Sequence, residues 1–335
     1  MAFQVTANTV ISDDKKLTST NFGVNNDNGV IEIADMSPMV GTVAGYASGG
    51  FAPGPTIYSV IDKFPFATDT NATNIGSLTQ ARFSAAGQSS TIFGYTSGGT
   101  PPTGVNTIDK FPFAINNNAT DVGNLTQVRY AITGHSSSSF GYSSGGYITP
   151  PATRYNTIEK FSFAGDSNAS DVGDLSVIRA YTASQSSATD GFSSGGETAP
   201  GSVNTIDRFS FATDNNASDV GDLTQIRQGA AGQSSTSHGY TAGGYKFPSP
   251  ANYNTIDKFL FSTSTNATSV GSLSQTRAYT AGQSSITSGY TSGGGTGGTP
   301  FTFNTIDKFP FSTDSNASDV GDLTGTKFSP AGQQD

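Results

Sequence analysis

Six glycine doublets, each closing a short Gly-aromatic segment, set the terms for what this chain can fold into. They read GYASGG (Gly49–Gly50), GYTSGG (Gly98–Gly99), GYSSGG (Gly145–Gly146), GFSSGG (Gly195–Gly196), GYTAGG (Gly243–Gly244) and GYTSGG (Gly293–Gly294). The steps between them are 49, 47, 50, 48 and 50 residues. A period of this size marks a repeat architecture, in which one small unit buries its faces only by stacking on copies of itself. Three further markers keep the same period. An I-[DE]-[KR]-F-x-F segment has its first Phe at Phe64, Phe111, Phe161, Phe209, Phe259 and Phe309. An N-A-[ST]-x-[VI]-G-x-L segment is centred on Asn71, Asn118, Asn168, Asn216, Asn266 and Asn316. A basic residue precedes a small, polar stretch at Arg82, Arg129, Arg179, Arg227, Arg277 and Lys327.

Each unit thus offers four short strand candidates separated by Gly, Asn, Asp or Pro turns. We label them A (after the basic residue), B (GYTSGG), C (NTIDKFPF) and D (around VGDL). Radial stacking of such units leaves only short sheet edges, which points to an all-β fold, a six-bladed β-propeller. The Ala, Gly and Ser of A suit the crowded axis, and the bulky C strand belongs farther out. Pro65, Pro112 and Pro310 lie between paired Phe residues, where a strand end or bulge needs no N–H. Apolar residues make up only 34% of the chain, but 23 Phe and 13 Tyr at recurring positions argue against disorder. The first unit has Ile33 where the basic residue belongs, and the missing A-like segment, KFSPAGQQ, stands at Lys327–Gln334. The C-terminal strand is therefore expected to complete the blade begun near Gly41. The expected domains are a β-rich N-terminal segment over 1–40 and a propeller over 41–335.

The order Arg82…Gly98–Gly99…Phe111…Val122…Leu125…Arg129 resembles the kelch repeat. The departure is Val or Ile (Ile75, Val122, Val172, Val220, Val270, Val320) where kelch repeats carry Trp. The match covers residues 41–335 and implies the propeller, not an activity. The Gly/Ser/Thr/Asn-rich repeats, and the leader VTANTVISDDKKLTSTNFGVNN, also resemble tail-fibre and virion structural proteins of bacteriophages, cyanophage types especially. That resemblance implies a virion component at the tail or capsid exterior, present in multiple copies. It would be anchored to other virion proteins through residues 1–40 and would recognise a cell-surface glycan or protein.

Composition narrows the remaining classes. With no Cys there are no disulfides, thiolate metal sites or Cys nucleophile, nor the Cys-linked Tyr of propeller copper oxidases. A net charge of −9 lacks the basic footprint that nucleic acid or an anionic membrane surface requires. No apolar run approaches a membrane span, and MAFQVTANTVISDDKKL lacks the apolar core of a signal peptide. A soluble protein is expected, with no membrane insertion.

Candidate chemistry is sparse, and neither a cofactor nor a metal is expected. The turn D-x-N-A-[ST] at Asp69, Asp166, Asp214 and Asp314 has the oxygen spacing of a cation site or of a sialidase-type Asp-box. Blade two has Asn116 and blade five Ser264 at that position, which favours plain turn chemistry. The N-A-[ST] sequons are read the same way. The basic series could ring one axial mouth and hold an anion. Pairing with Asp62, Asp109, Glu159, Asp207, Asp257 and Asp307 is the preferred reading. His135 and His238 hold non-equivalent repeat positions, and no acid/base pair departs from the repeat, so no catalytic residues are assigned. The B–C loops do depart from it. They carry exposed-looking aromatics, Tyr147, Tyr155, Tyr245, Phe247, Tyr253, Phe301 and Phe303, which together with Arg154 are the candidate binding residues. VTANTVIS and VIEIADM in the leader each read as a strand. A displayed recognition module is the leading reading. A purely architectural spacer or decoration protein is the second, and a carbohydrate-active enzyme the third.

Overall fold

In a computed structural model, residues 40–100, 103–296 and 302–335 are described, together with the backbone of four short strands nearer the N-terminus. Residues Met1–Ser37 and Pro38–Asp335 form two separate compact units. In the first, Phe3–Val5 pairs antiparallel with Thr9–Ile11, and Phe22–Val24 with Ile31–Ile33. The alternating stretch VTANTVIS, expected as one strand, is thus divided between the two arms of a hairpin.

The second unit is a six-bladed β-propeller, each blade an antiparallel sheet in the order A-B-C-D. Blade 2 shows the plan: Ala86–Ser89, Phe93–Ser97, Thr107–Pro112 and Thr120–Asn124. Blades 3 to 6 repeat it, ending with Ser318–Asp322. Blade 1 takes its B, C and D strands from Ala44–Ser48, Val60–Pro65 and Thr73–Ser77. Its A strand is Ala331–Gln334, which pairs Gln333 with Tyr46 and so closes the ring with the C-terminal segment. Strand C ends at Pro65, Pro112 and Pro310, as the missing N–H requires. A bulge between Ile108 and Asp109 separates C from D, and every blade repeats it.

The core is divided among six wedges, one between each pair of neighbouring blades. Tyr46, Ile61 and Leu78 of blade 1 pack on Phe111, Phe113 and Ala119 of blade 2. The strand-B aromatic stacks on the second Phe of the next blade's strand C, as Tyr46 does on Phe113 with centroids 4.8 Å apart. Tyr95–Phe163, Tyr142–Phe211, Phe192–Phe261, Tyr240–Phe311 and Tyr290–Phe66 repeat this. Such a pair adds about 1 kcal/mol to the burial of its rings. The I-[DE]-[KR]-F-x-F signature therefore supplies inter-blade contacts more than intra-blade ones.

The GG doublet breaks strand B with two successive positive φ angles, as at Gly98 (61°) and Gly99 (103°). At the axis the strands A approach to backbone contact. A Cβ on Gly134 would lie 2.1 Å from the Gly87 carbonyl oxygen, and one on Gly282 would lie 2.1 Å from that of Gly232. Blade 4 carries Ser184 at this position, but a Cβ at Gly134 or Gly282 would press on the backbone of the neighbouring blade.

The recurring polar markers are also structural. Arg82, Arg129, Arg179, Arg227, Arg277 and Lys327 are buried and pair with Asp109, Glu159, Asp207, Asp257, Asp307 and Asp62. Arg179 shows the role, donating to the carbonyls of Gly195 (2.8 Å), Thr205 (2.9 Å) and Ser193 (2.9 Å). Its partner Asp207 accepts the N–H and O–H of Ser176 from the incoming D–A connection. Burial draws the Arg179 guanidinium pKa below its ordinary value, and Asp207 opposes that shift. These bases form no cationic ring at a mouth.

The D-x-N turns staple blades together. Asn168 Oδ1 accepts the Asn124 N–H of the preceding blade at 3.0 Å, and Asp166 pairs with Lys110 at 2.5 Å. Asp214, Asp314 and Asp69 likewise meet Lys160, Lys258 and Lys308. No helix among the described residues is long and apolar enough to cross a membrane.

Candidate binding face

The B–C loops and D–A connections share one face. Each loop bridges to its own blade's connection, as Tyr147 to Tyr130, Glu197 to Ala180 and Tyr245 to Gln228. Around this mouth the second residue after each basic residue closes a ring of backbone hydrogen bonds. Ala131 N–H donates to Ser84 O (2.8 Å), Tyr181 to Ala131 (2.9 Å), Gly229 to Tyr181 (2.8 Å) and Tyr279 to Gly229 (2.5 Å). Ser329 to Tyr279 (2.7 Å) and Ser84 to Ser329 (2.9 Å) complete it. The ring holds its members at positive φ, including the bulky Tyr181 (56°) and Tyr279 (55°).

Those two tyrosines break the sixfold pattern. Their rings meet edge to face, with centroids 5.4 Å apart, over Gly229, whose absent Cβ would lie 2.8 Å from Tyr279 Cδ1. From there a chain of contacts runs back to blade 3. Gln228 Nε2 donates to Tyr279 Oη and to Glu197 Oε2, both at 3.0 Å. Gln228 Oε1 accepts from Ser202 Oγ (2.9 Å). Glu197 pairs with Arg154, which lies 5.2 Å over the Tyr147 ring. Tyr147 in turn meets Tyr130 edge to face at 5.3 Å. Burial raises the pKa of Tyr181, of Tyr130 and of Tyr279, the last to about 12, so these hydroxyls stay protonated donors at neutral pH.

The expected loop residues divide accordingly. Tyr147, Arg154 and Tyr245 join this array, with Tyr245 centred 6.4 Å from Tyr279. Short hairpins carry them, Tyr147–Ile148 with Thr153–Arg154 and Tyr245–Lys246 with Ala251–Asn252. Phe247 is exposed (42%), and its backbone is tied to Ser202 of blade 4. Tyr155, Tyr253 and Phe303 are only half-buried loop closers. Their N–H groups bond the second Gly of the doublet, and their carbonyls accept from the buried Arg or Lys of the next connection. They are half-buried and not exposed as expected, and among the described residues no ring contact joins them to the array. Phe301 lies outside the described residues. Sequence reasoning passed over Tyr130, Tyr181, Glu197, Gln228 and Tyr279. A signal for four of them was present, since the pair after the basic residue reads FS, YA, AY, QG, AY and FS along an otherwise regular repeat.

Both axial mouths are small and uncharged. On this face the cup is lined by Ala, Gly, Thr, Ile, Ser and Pro, and on the other by Gly, Ser and Gln. Among the described residues no group of three or more His, Asp or Glu is placed to hold a metal.

No family model matches the sequence, and no curated protein matches it. Among solved structures the chain is similar to one described as "Structure of YjhT". The TM-score is 0.66 at 13% identity, over 84% of this chain and 99% of that one. At that identity the likeness establishes the propeller fold and nothing of function.

Proposed function

We propose that this chain is a non-catalytic recognition module of a bacteriophage particle, meeting a cell-surface glycan through its B–C/D–A face. One observation carries the binding assignment. The blades repeat closely in their buried pairs, stacked aromatics and turns, while the array from Tyr147 to Tyr279, continued by the Phe328 ring 4.5 Å from Tyr279, does not follow the sixfold repeat. Half-buried tyrosines offer apolar ring faces and protonated hydroxyls together, which suits the mixed surface of a sugar. Glu197, Gln228 and Arg154 add acceptors and donors beside them. The virion assignment, the tail or capsid exterior, and attachment to other virion proteins through residues 1–40 rest on the sequence resemblance.

The test is a glycan array with the full chain, repeated with Tyr147→Ala and Tyr245→Ala. Loss of one aromatic anchor should weaken binding about tenfold or more. Unchanged affinity in both variants overturns this site. Cryo-electron microscopy of the particle tests the display reading. A B–C face turned outward is expected, and a face buried against neighbours would make the propeller an architectural spacer.

A further inference from the structure

The opposite mouth, opened by the A–B hairpins, has a different chemistry. Strand A ends in Ser89, Ser136, Ser186, Ser234 and Ser284 in blades 2 to 6, and in Gln334 in blade 1. These residues close a second ring, this time between backbone and side chain. Ser89 N–H donates to Ser136 Oγ (2.9 Å), Ser136 to Ser186 (3.3 Å), Ser186 to Ser234 (3.0 Å) and Ser234 to Ser284 (2.9 Å). Ser284 N–H then donates to Gln334 Oε1 (3.3 Å), and Gln334 N–H to Ser89 Oγ (3.0 Å). The ring lines a small axial cup of about 50 Å³ above the contact between the strands A.

The five serines are 2–8% exposed. Each hydroxyl oxygen already accepts a backbone N–H, so its remaining strong capacity is to donate its proton. Among the described residues none of the five hydroxyls donates to a protein acceptor. Five hydroxyl protons that no protein acceptor takes up are thus gathered on one axis, facing the cup. No carboxylate is among the residues lining the cup, so it lacks the negative charge that usually holds a hard cation. Asp335, which follows Gln334, turns its carboxylate to Tyr46 Oη at 3.3 Å.

We propose that this cup binds a small inorganic anion, a halide or one of similar size, held by convergent serine hydroxyls. Neutral donors make the site weak and selective by size. Serving it needs no residue of the opposite face, so it stands apart from glycan recognition.

The probe is bromide. Crystals of the full chain in sodium bromide should show an anomalous peak on the axis at the level of the serines. In solution, chloride NMR line broadening should be displaced by bromide. Replacing Ser234 with Ala removes one donor and should weaken binding about tenfold. If that variant fails to fold, Ser186→Cys keeps a similar volume with a poor donor and should weaken binding in the same sense. Axial density that is water alone overturns the proposal. A peak with rubidium but not bromide does so as well. Bromide bound equally well by wild type and both variants would mean an adventitious ion only.

Discussion

Lowering the pH should destabilise the propeller through one residue, His135. It stands where blades 2, 4, 5 and 6 carry Gln88, Gln185, Gln233 and Gln283 and blade 1 carries Gln333. Those amides tie each blade to the next, as Gln88 Nε2 does to Tyr142 O (3.1 Å) and Ser143 Oγ (3.0 Å). His135 is 1% exposed, with Nδ1 3.4 Å from the Gln185 carbonyl and Nε2 3.0 and 3.1 Å from the hydroxyls of Ser144 and Ser193. A carbonyl can only accept, so the neutral ring carries its proton on Nδ1, and Nε2 accepts from serine. The ring also sits edge-on to Phe209 at 5.1 Å. Burial therefore lowers its pKa to about 4, against a weaker opposing pull from the Gln185 carbonyl.

The sign follows from that depression. Between about pH 6.5 and 4 the unfolded chain holds a proton on His135 that the folded chain refuses, so stability falls as the pH drops through that range. At 1.36 kcal/mol per pKa unit the loss approaches roughly 3 kcal/mol near pH 4. The assay is urea unfolding at several pH values from 7.5 to 4.5 for the wild type and His135→Gln. The variant restores the residue of the other blades, so the two stabilities should diverge on acidification, with His135→Gln the firmer. The carboxylates and the half-buried His238 are common to both proteins and cancel in the difference. Parallel curves over that range would refute the reasoning.

Two further outcomes test the scaffold. Arg179→Met leaves Asp207 buried without its cation and should cost about 3–5 kcal/mol in urea unfolding, whereas Asp214→Ala, removing the exposed partner of Lys160, should cost under about 1 kcal/mol. Deleting residues 331–335 removes the closing strand and, with it, the Gln333 bonds to Ser48 Oγ (2.9 Å), Tyr95 O (3.0 Å) and Thr96 Oγ1 (3.0 Å). At about 1 kcal/mol each those bonds alone predict a loss of roughly 3 kcal/mol, measured as a lowered urea midpoint.

The fold was legible because the repeat forces it. A four-strand unit recurring six times, with small residues in one strand and paired Phe in another, has few ways to bury both faces. The closure was legible because Lys327–Gln334 supplies the one marker missing from the first unit. Buried pairing of the basic series was also readable, from the acid standing two residues before each Phe. The binding face was only partly so. Aromatics in long loops drew attention, yet Tyr155, Tyr253 and Phe303 serve mainly to close loops onto the Gly doublets. Tyr181 and Tyr279 look like ordinary strand-entry residues in a linear reading. Their left-handed backbone and their meeting over Gly229 arise only from ring closure, which brings blades 4, 5 and 6 together at the axis.

Those two tyrosines separate scaffold from function more sharply than the loops do. The backbone ring at that mouth requires positive φ from every blade, which a non-glycine residue adopts at a cost of about 1–2 kcal/mol. Gly229 meets the demand freely, and Ser84, Ala131 and Ser329 meet it with little side chain to place. A chain selected for closure alone gains nothing from Tyr at two of these sites. The rings instead remain half-buried, and Tyr279 accepts from Gln228, which also donates to Glu197, so the strained positions lie on one asymmetric surface. Non-glycine residues held in sparsely populated backbone regions gather at binding sites because the surrounding structure has to enforce them. Here the enforcing structure is the sixfold ring itself. A rigid, repetitive frame thus supports the recognition reading, since it can hold a few costly side chains in place while the rest of the repeat stays uniform.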